Sequence, residues 1–318
     1  MLGEQDAAAL GRTNYHEHLF QVSPLLPGDE LDDEPRSQVE AGSLRGSGFE
    51  AMVDATPTGL GRRPAALARV SAATGLQVVA TTGAHREPHY GAGHWLTELD
   101  EDALATRFCR DVTDGMPEQD GPGSGVVART PSGEPVRAGV VKAGVGYWSI
   151  SAFERRVLAA VATTWHQTGA AVMVHLEHGS AAFEVLAVLA AHGVPTCAVA
   201  LAHVDRLPDP GLHAELAAVG CYLGYDGFAR SQRWPDSVLI DCLLRAASLG
   251  ATERLLLGGD VARRTRYRAY GGMPGLAYLG ERVLPRLVRE GSAELVEALL
   301  VTNPARWLAG DDARKGRG

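Results

Sequence analysis

From residue 50 onward the chain alternates short apolar runs with amphipathic stretches rich in Ala, Leu, Arg and Glu, the rhythm of βα units around a parallel sheet. Eight runs read as strands. They end near His18, Asp54, Thr82, Lys142, His175, His203, Gly224 and Asp260, and helical periodicity fills most of the intervals, as over Ala152 to Thr168, Ala181 to His192 and Ser237 to Leu249. Eight parallel strands with helical crossovers predict a closed (β/α)8 TIM barrel, with an open doubly wound sheet as the alternative. The polar residues favour the barrel. Six of the eight runs finish on or beside a residue that can bind a metal or move a proton, and active sites of such barrels gather at the carboxyl ends of the strands. An open sheet would place its ligands at one switch point instead. Residues 1–310 are therefore expected to form a single barrel domain, and 311–318 a polar tail. Two stretches rich in Pro, Gly and Asp, Pro24 to Arg36 and Asp120 to Pro135, read as loops, the second as a hairpin, a lid or a flexible insert.

Composition narrows the class. The 318 residues are 45% apolar and 21% charged, enough for a sizeable core. No apolar run approaches the roughly 18 residues of a membrane span and the first residues are acidic, so no membrane association and a cytoplasmic location are expected. The four cysteines, Cys109, Cys197, Cys221 and Cys242, are far apart, which argues against a disulfide framework or a thiolate zinc site. A net charge of −8 opposes nonspecific nucleic-acid binding. Against that acidic background Arg263, Arg264, Arg266 and Arg268 crowd into six residues, as a basic pocket would require. A solvated helix start or an ion-pair network would also account for them.

The candidate chemistry lies at the strand ends. His16 and His18, at alternate positions of one strand, would aim two neutral imidazoles at one point, a metal-ligand arrangement. Lys142 closes Ala138-Gly-Val-Val-Lys142, where desolvation would lower its pKa and leave a neutral amine able to take up carbon dioxide as a carbamate; the alternative is a lysine that snorkels to water. His175 and His203 are each the first strongly polar residue after an apolar run, and each could equally be a core histidine bonded to a carbonyl. Asp260 follows Leu255-Leu-Leu-Gly-Gly and could be a ligand, a general base or a helix N-cap. Imidazole and hard oxygen donors together suit zinc, manganese or cobalt.

In this order His16-Glu-His-Leu19, Lys142, His175, His203 and Asp260, with Val53-Asp-Ala-Thr-Pro57, Thr81-Thr-Gly-Ala-His85 and Val301-Thr-Asn-Pro-Ala-Arg306, resemble the phosphotriesterase-like branch of the amidohydrolase superfamily over nearly the whole chain. The resemblance implies a binuclear metal-dependent hydrolase. His16, His18 and Asp260 would hold the buried metal and His175 and His203 the more exposed one. Carboxylated Lys142 and a hydroxide would bridge the pair, and Asp260 would shuttle the proton. Ala202-His-Val-Asp-Arg206, Tyr222-Leu-Gly-Tyr-Asp-Gly227 and Gly259-Asp-Val-Ala-Arg-Arg264 look most like the lactonases that open phosphorylated sugar lactones. Substrate contacts are accordingly expected from Arg230, Arg263, Arg264, Arg266, Tyr267, His85 and Tyr225, and a homodimer is the expected assembly. Departures from the pattern, Ala84 before His85, Arg86 after it, the bulky Ala143-Gly-Val-Gly-Tyr-Trp148 loop and Arg266 in place of an aromatic residue, bear on the substrate rather than on the metals. Competing readings are a phosphotriesterase or esterase, a lactonase for an unphosphorylated apolar substrate if Trp95, Tyr147 and Trp148 line the pocket, and a non-catalytic binding protein.

Overall fold

The computed structural model describes residues 3–123, 125–230 and 234–310; the expected polar tail, 311–318, lies outside the described residues. Eight parallel strands follow one another around the sheet in sequence order: β1 (Thr13–Glu17), β2 (Ala51–Asp54), β3 (Gln77–Gly83), β4 (Ala138–Val145), β5 (Ala171–Leu176), β6 (Val199–Ala202), β7 (Tyr222–Tyr225) and β8 (Leu255–Leu257). A hydrogen bond from Asp260 N to His16 O (2.9 Å) brings the chain after β8 back onto β1. The architecture is a (β/α)8 TIM barrel with helices on the outside: α1 (Glu34–Gly46), α2 (Pro64–Thr74), α3 (Glu101–Thr113), α4 (Ala152–Thr168), α5 (Ala182–Ala191), α6 (Pro210–Ala218) and α7 (Asp236–Ala246), followed by α8 (Leu284–Glu290), α9 (Ala293–Glu297) and α10 (Asn303–Ala309). None of the described helices is long and apolar enough to cross a membrane.

Strand alternation divides the core in two. Val140, Ala171, Met173, Ala200, Tyr222 and Leu256 point into the barrel, while Val141, Val172, Val174, Leu201, Leu223 and Leu255 pack outward against the helices. Trp307 of α10 plugs the end nearest the strands' amino termini, its indole N–H donating to Val172 O (3.2 Å). With that end filled by side chains, the polar residues are confined to the opposite end.

Local signals explain where the helices begin. Asp33 caps α1 by accepting from Arg36 N (3.0 Å), so the loop expected over Pro24 to Arg36 ends earlier, with Pro35 in the first helical turn. Ser151 and Glu154 form a reciprocal capping box at α4. Across the described residues of the Asp120 to Pro135 excursion the chain pairs in antiparallel fashion, Pro117 with Val127 and Arg129 with Pro135. It buries Met116, Ala128 and Val136 against Ala68 and Ala80, and Asp120 ties it down by accepting from Gly59 N (2.7 Å) and Arg62 Nε (3.1 Å). Of the three readings offered for that segment, the hairpin is the one observed.

Candidate active site

At the carboxyl ends of the strands a cleft of about 330 Å³ is lined by His16, His18, Lys142, His175, His203 and Asp260. All six are buried. Their route into it is less regular than strand alternation implies. The register of β1 against β2 slips between Asn14 and Glu17, and His18 lies beyond the strand, yet the rings of His16 and His18 meet with centroids 5.4 Å apart. Lys142 and His175 follow the inward alternation of β4 and β5. His203 and Asp260 turn inward through left-handed backbone, φ 68° and 42°, a strain worth about 1–3 kcal/mol per residue that clusters at functional sites. Two glycines make room: a Cβ on Gly224 would collide with the Tyr15 ring, and one on Gly259 with the Glu17 carboxylate.

Each imidazole is gripped from one side. His18 Nδ1 lies 2.6 Å from Thr56 Oγ1, and His175 Nε2 lies 3.0 Å from Glu177 Oε2, which also pairs with Arg86. His16 Nδ1 and His203 Nδ1 both meet Asp226, at 3.0 and 2.6 Å. The opposite nitrogens of His16 (Nε2) and His175 (Nδ1) are buried with no hydrogen-bond partner. Buried polar nitrogens without a partner are costly unless something else satisfies them, and a metal ion does. Ligand atoms of His16, His18 and Asp260 lie within 4.8 Å of one another, and so do those of His16, His203 and Asp226. The donor set fits divalent ions: neutral imidazoles, a carboxylate and an amine able to become a carbamate. Burial drives the His16 imidazole down to about 3, and those of His18, His175 and His203 well below their usual value, so all four are neutral. Burial also brings the Lys142 ammonium down to about 7; its Nζ donates to Ala55 O at 2.9 Å.

Arg86, Arg206, Arg230 and Arg263 line the same cleft, as does His85. Arg206 and Arg230 both pair with Asp260, and Arg230 Nη1 also donates to the Asp260 carbonyl oxygen (2.7 Å). Burial, reinforced by Arg206 beside it, works against the Arg230 charge. Arg263 is held by Asp29 (3.2 Å), a residue of the loop after β1.

The other four residues expected to touch substrate do not line the cleft. Tyr225 faces outward, because Tyr222 and Gly224 take the inward positions of β7, and its hydroxyl lies 2.5 Å from His213 Nδ1. Tyr267 is buried and its hydroxyl bonds the His18 carbonyl. Arg264 is exposed with its guanidinium over Tyr270, and Arg266 stands behind Arg230, reaching its carbonyl oxygen (3.4 Å). Of the arginine run only Arg263 lines the cleft; Arg264 and Arg266 lie on a 3-10 turn just after it, and Arg268 pairs with the exposed Glu281.

Arg206, Glu177 and His89, which also line the cleft, and Asp226 behind it were given no role from the sequence, although Arg206 and Asp226 fall within the quoted lactonase-like segments. Asp226 carried a usable signal, being the first carboxylate after the β7 run.

The chain is similar along nearly its whole length to known proteins. The chain is 28% identical over 332 residues to a phospho-furanose lactonase of Mycoplasmopsis agalactiae, covering 99% of this chain and 92% of that protein. Among solved structures it is similar to the lactonase Lmo2620 from Listeria monocytogenes (TM-score 0.83, 30% identity, 96% of this chain and 97% of that one). It is also similar to the phosphotriesterase homology protein of Escherichia coli complexed with phosphate in its active site (TM-score 0.83, 25% identity, 94% and 99%). The sequence model of the Phosphotriesterase family matches residues 1–308, and with His16, His18, Lys142, His175, His203 and Asp260 gathered in one cleft, this chain belongs to that family.

Proposed function

We propose that this protein is a metal-dependent hydrolase that opens a small phosphorylated sugar lactone. The observation that carries the reading is that four arginines, Arg86, Arg206, Arg230 and Arg263, share one cleft with the histidine, lysine and aspartate cluster. His16, His18 and Asp260 would hold one divalent ion, zinc, manganese or cobalt, and His175 and His203 a second, with carboxylated Lys142 between them. Such ions supply an activated water and polarise the ester carbonyl.

The chain's own residues do the rest. Asp260, at the cleft floor between two guanidinium groups, takes the proton released on attack and returns it toward the leaving oxygen. Arg230 and Arg263 offer planar forks suited to phosphate oxygens, and an anion there would offset the cost of burying the Arg230 charge. His85, its ring tilted against that of His175 with centroids 4.4 Å apart, walls the cleft and helps exclude water. The reading for an apolar substrate loses its support, since Trp95, Tyr147 and Trp148 do not line the cleft and the last two are exposed. A homodimer and a cytoplasmic location belong to the same proposal; light scattering tests the first.

The deciding experiment compares a matched pair of aldono-lactones, with and without a phosphate group, on the metal-loaded protein. Preferential turnover of the phosphorylated member, competed by inorganic phosphate, is expected. Equal turnover of both, or equal rates after metal stripping, would refute the assignment.

A further inference from the structure

Asp226 lies one residue beyond β7, fully buried, and none of the metal-ligand assignments above uses it. Its two oxygens face different partners. Oδ1 meets His203 Nδ1 at 2.6 Å; Oδ2 meets His16 Nδ1 at 3.0 Å and also takes the hydroxyl of Tyr15. Asp205, two residues after His203, holds the Asp226 backbone in place by accepting from Asp226 N (2.9 Å) and Gly227 N (2.7 Å). The rings of His16 and His203 lie with centroids 5.0 Å apart.

We infer that Asp226 is a positioning residue shared by both ion sites, fixing the proton of His16 and of His203 on Nδ1 so that each presents Nε2 to its own metal. The inference rests on the two-ion reading proposed above. An ionised carboxylate only accepts, so every nitrogen facing it must carry a proton, and the lone pair of each ring is left on the far nitrogen. For His16 that far nitrogen is the buried Nε2 without a hydrogen-bond partner. A carboxylate behind a ligating imidazole sets both its tautomer and its basicity. Here one carboxylate does so for a ligand of each ion.

The two oxygens are not equivalent, and this makes the inference specific. An asparagine at 226 has one accepting oxygen and one donating amide group. Placed at the Oδ2 position, its oxygen keeps the bonds from Tyr15 and His16, and its amide then confronts His203 Nδ1. The opposite orientation disturbs two partners instead of one, so the first is preferred. His203 must then move its proton to Nε2, which blocks that nitrogen as a ligand. Asp226→Asn is therefore expected to weaken binding of the ion held by His175 and His203 while leaving binding of the one held by His16, His18 and Asp260 unchanged.

The test is titration of chelator-treated protein with zinc in bicarbonate buffer, followed calorimetrically. The wild type should take two equivalents. Asp226→Asn should take one with wild-type affinity and a second weakened about 10–100-fold, and adding His18→Ala should abolish the retained one. Tyr15→Phe, which leaves both imidazole bonds in place, should keep two. Equal weakening of both equivalents in Asp226→Asn, or no change in either, overturns the inference. In case the asparagine variant does not fold, long-range proton–nitrogen spectra of the apo wild type with ¹⁵N-labelled histidine should show His16 and His203 protonated at Nδ1. A proton on Nε2 of either ring overturns it equally. Neither readout involves a lactone, so an error in the proposed substrate leaves this result untouched.

Discussion

Arg230 and Asp260 are held face to face at the floor of the cleft, the guanidinium pairing with the carboxylate and donating to the same residue's carbonyl oxygen at 2.7 Å. Under the proposed function the arrangement would join the anion-binding side of the cleft to the proton-handling side. On the proposed reading, a ligand that draws Arg230 toward itself would free an oxygen of Asp260 and so link binding to proton transfer through one side-chain pair.

On the proposed function, Asp260→Asn removes the proton acceptor and a ligand charge together. With metal in excess, kcat is expected to fall by about 10²–10⁴, while circular dichroism stays that of the native barrel. A variant retaining near-native kcat would remove Asp260 from the chemistry.

Arg263→Ala should act on recognition. Loss of one charged hydrogen bond is worth about 1.5–3 kcal/mol, so KM for a phosphorylated lactone should rise roughly 10- to 100-fold, with little change for the unphosphorylated analogue. Arg264→Ala, at an exposed residue that does not line the cleft, should change neither. If the two variants behave alike, the split of the arginine run into cleft and surface positions is wrong.

Reconstitution should depend on pH through Lys142. Its ammonium in the folded, metal-free protein is brought down to about 7 by burial, from 10.5 in an unperturbed lysine. The neutral amine that reacts with carbon dioxide therefore grows as pH rises and is nearly complete above that value. The rate of metal-dependent reactivation at fixed dissolved carbon dioxide should climb about tenfold per pH unit below about 7 and level off above it. A rate flat across this window would argue against carboxylation.

Glu177→Ala should loosen His175, whose Nε2 the carboxylate holds at 3.0 Å, and release Arg86 as well. Zinc affinity at the more exposed site is expected to drop about 10–100-fold, measured by competition with a chromophoric chelator. Unchanged affinity would show that His175 needs no support from behind.

Trp307→Ala tests the barrel's closed end. The ring is 1% exposed and packs on Tyr15, so its loss should cost about 3–5 kcal/mol in urea unfolding. Activity per folded molecule should be nearly retained, because the plug and the cleft occupy opposite ends of the barrel.

The eight strands, their order and the residues that meet in the cleft from their ends were legible in the chain, because burial leaves a local trace. A residue that must point inward at the end of an apolar run stands out as the first polar position, as Lys142, His175 and His203 do, whatever the rest of the molecule is doing. Tertiary structure alone decided which residues stand behind the ligands and which arginines face the cleft. Asp226 and His16 are 210 residues apart and meet only when the barrel closes, so no spacing in the sequence announces the bond. Tyr225 looked like a rim residue until the phase of β7 turned it outward, and Arg264 until a single tight turn carried it to the surface. Alternation and burial are properties of neighbours in the chain, whereas the direction of a side chain after a turn, and the partner it meets there, depend on dihedral angles and contacts that only the folded barrel specifies.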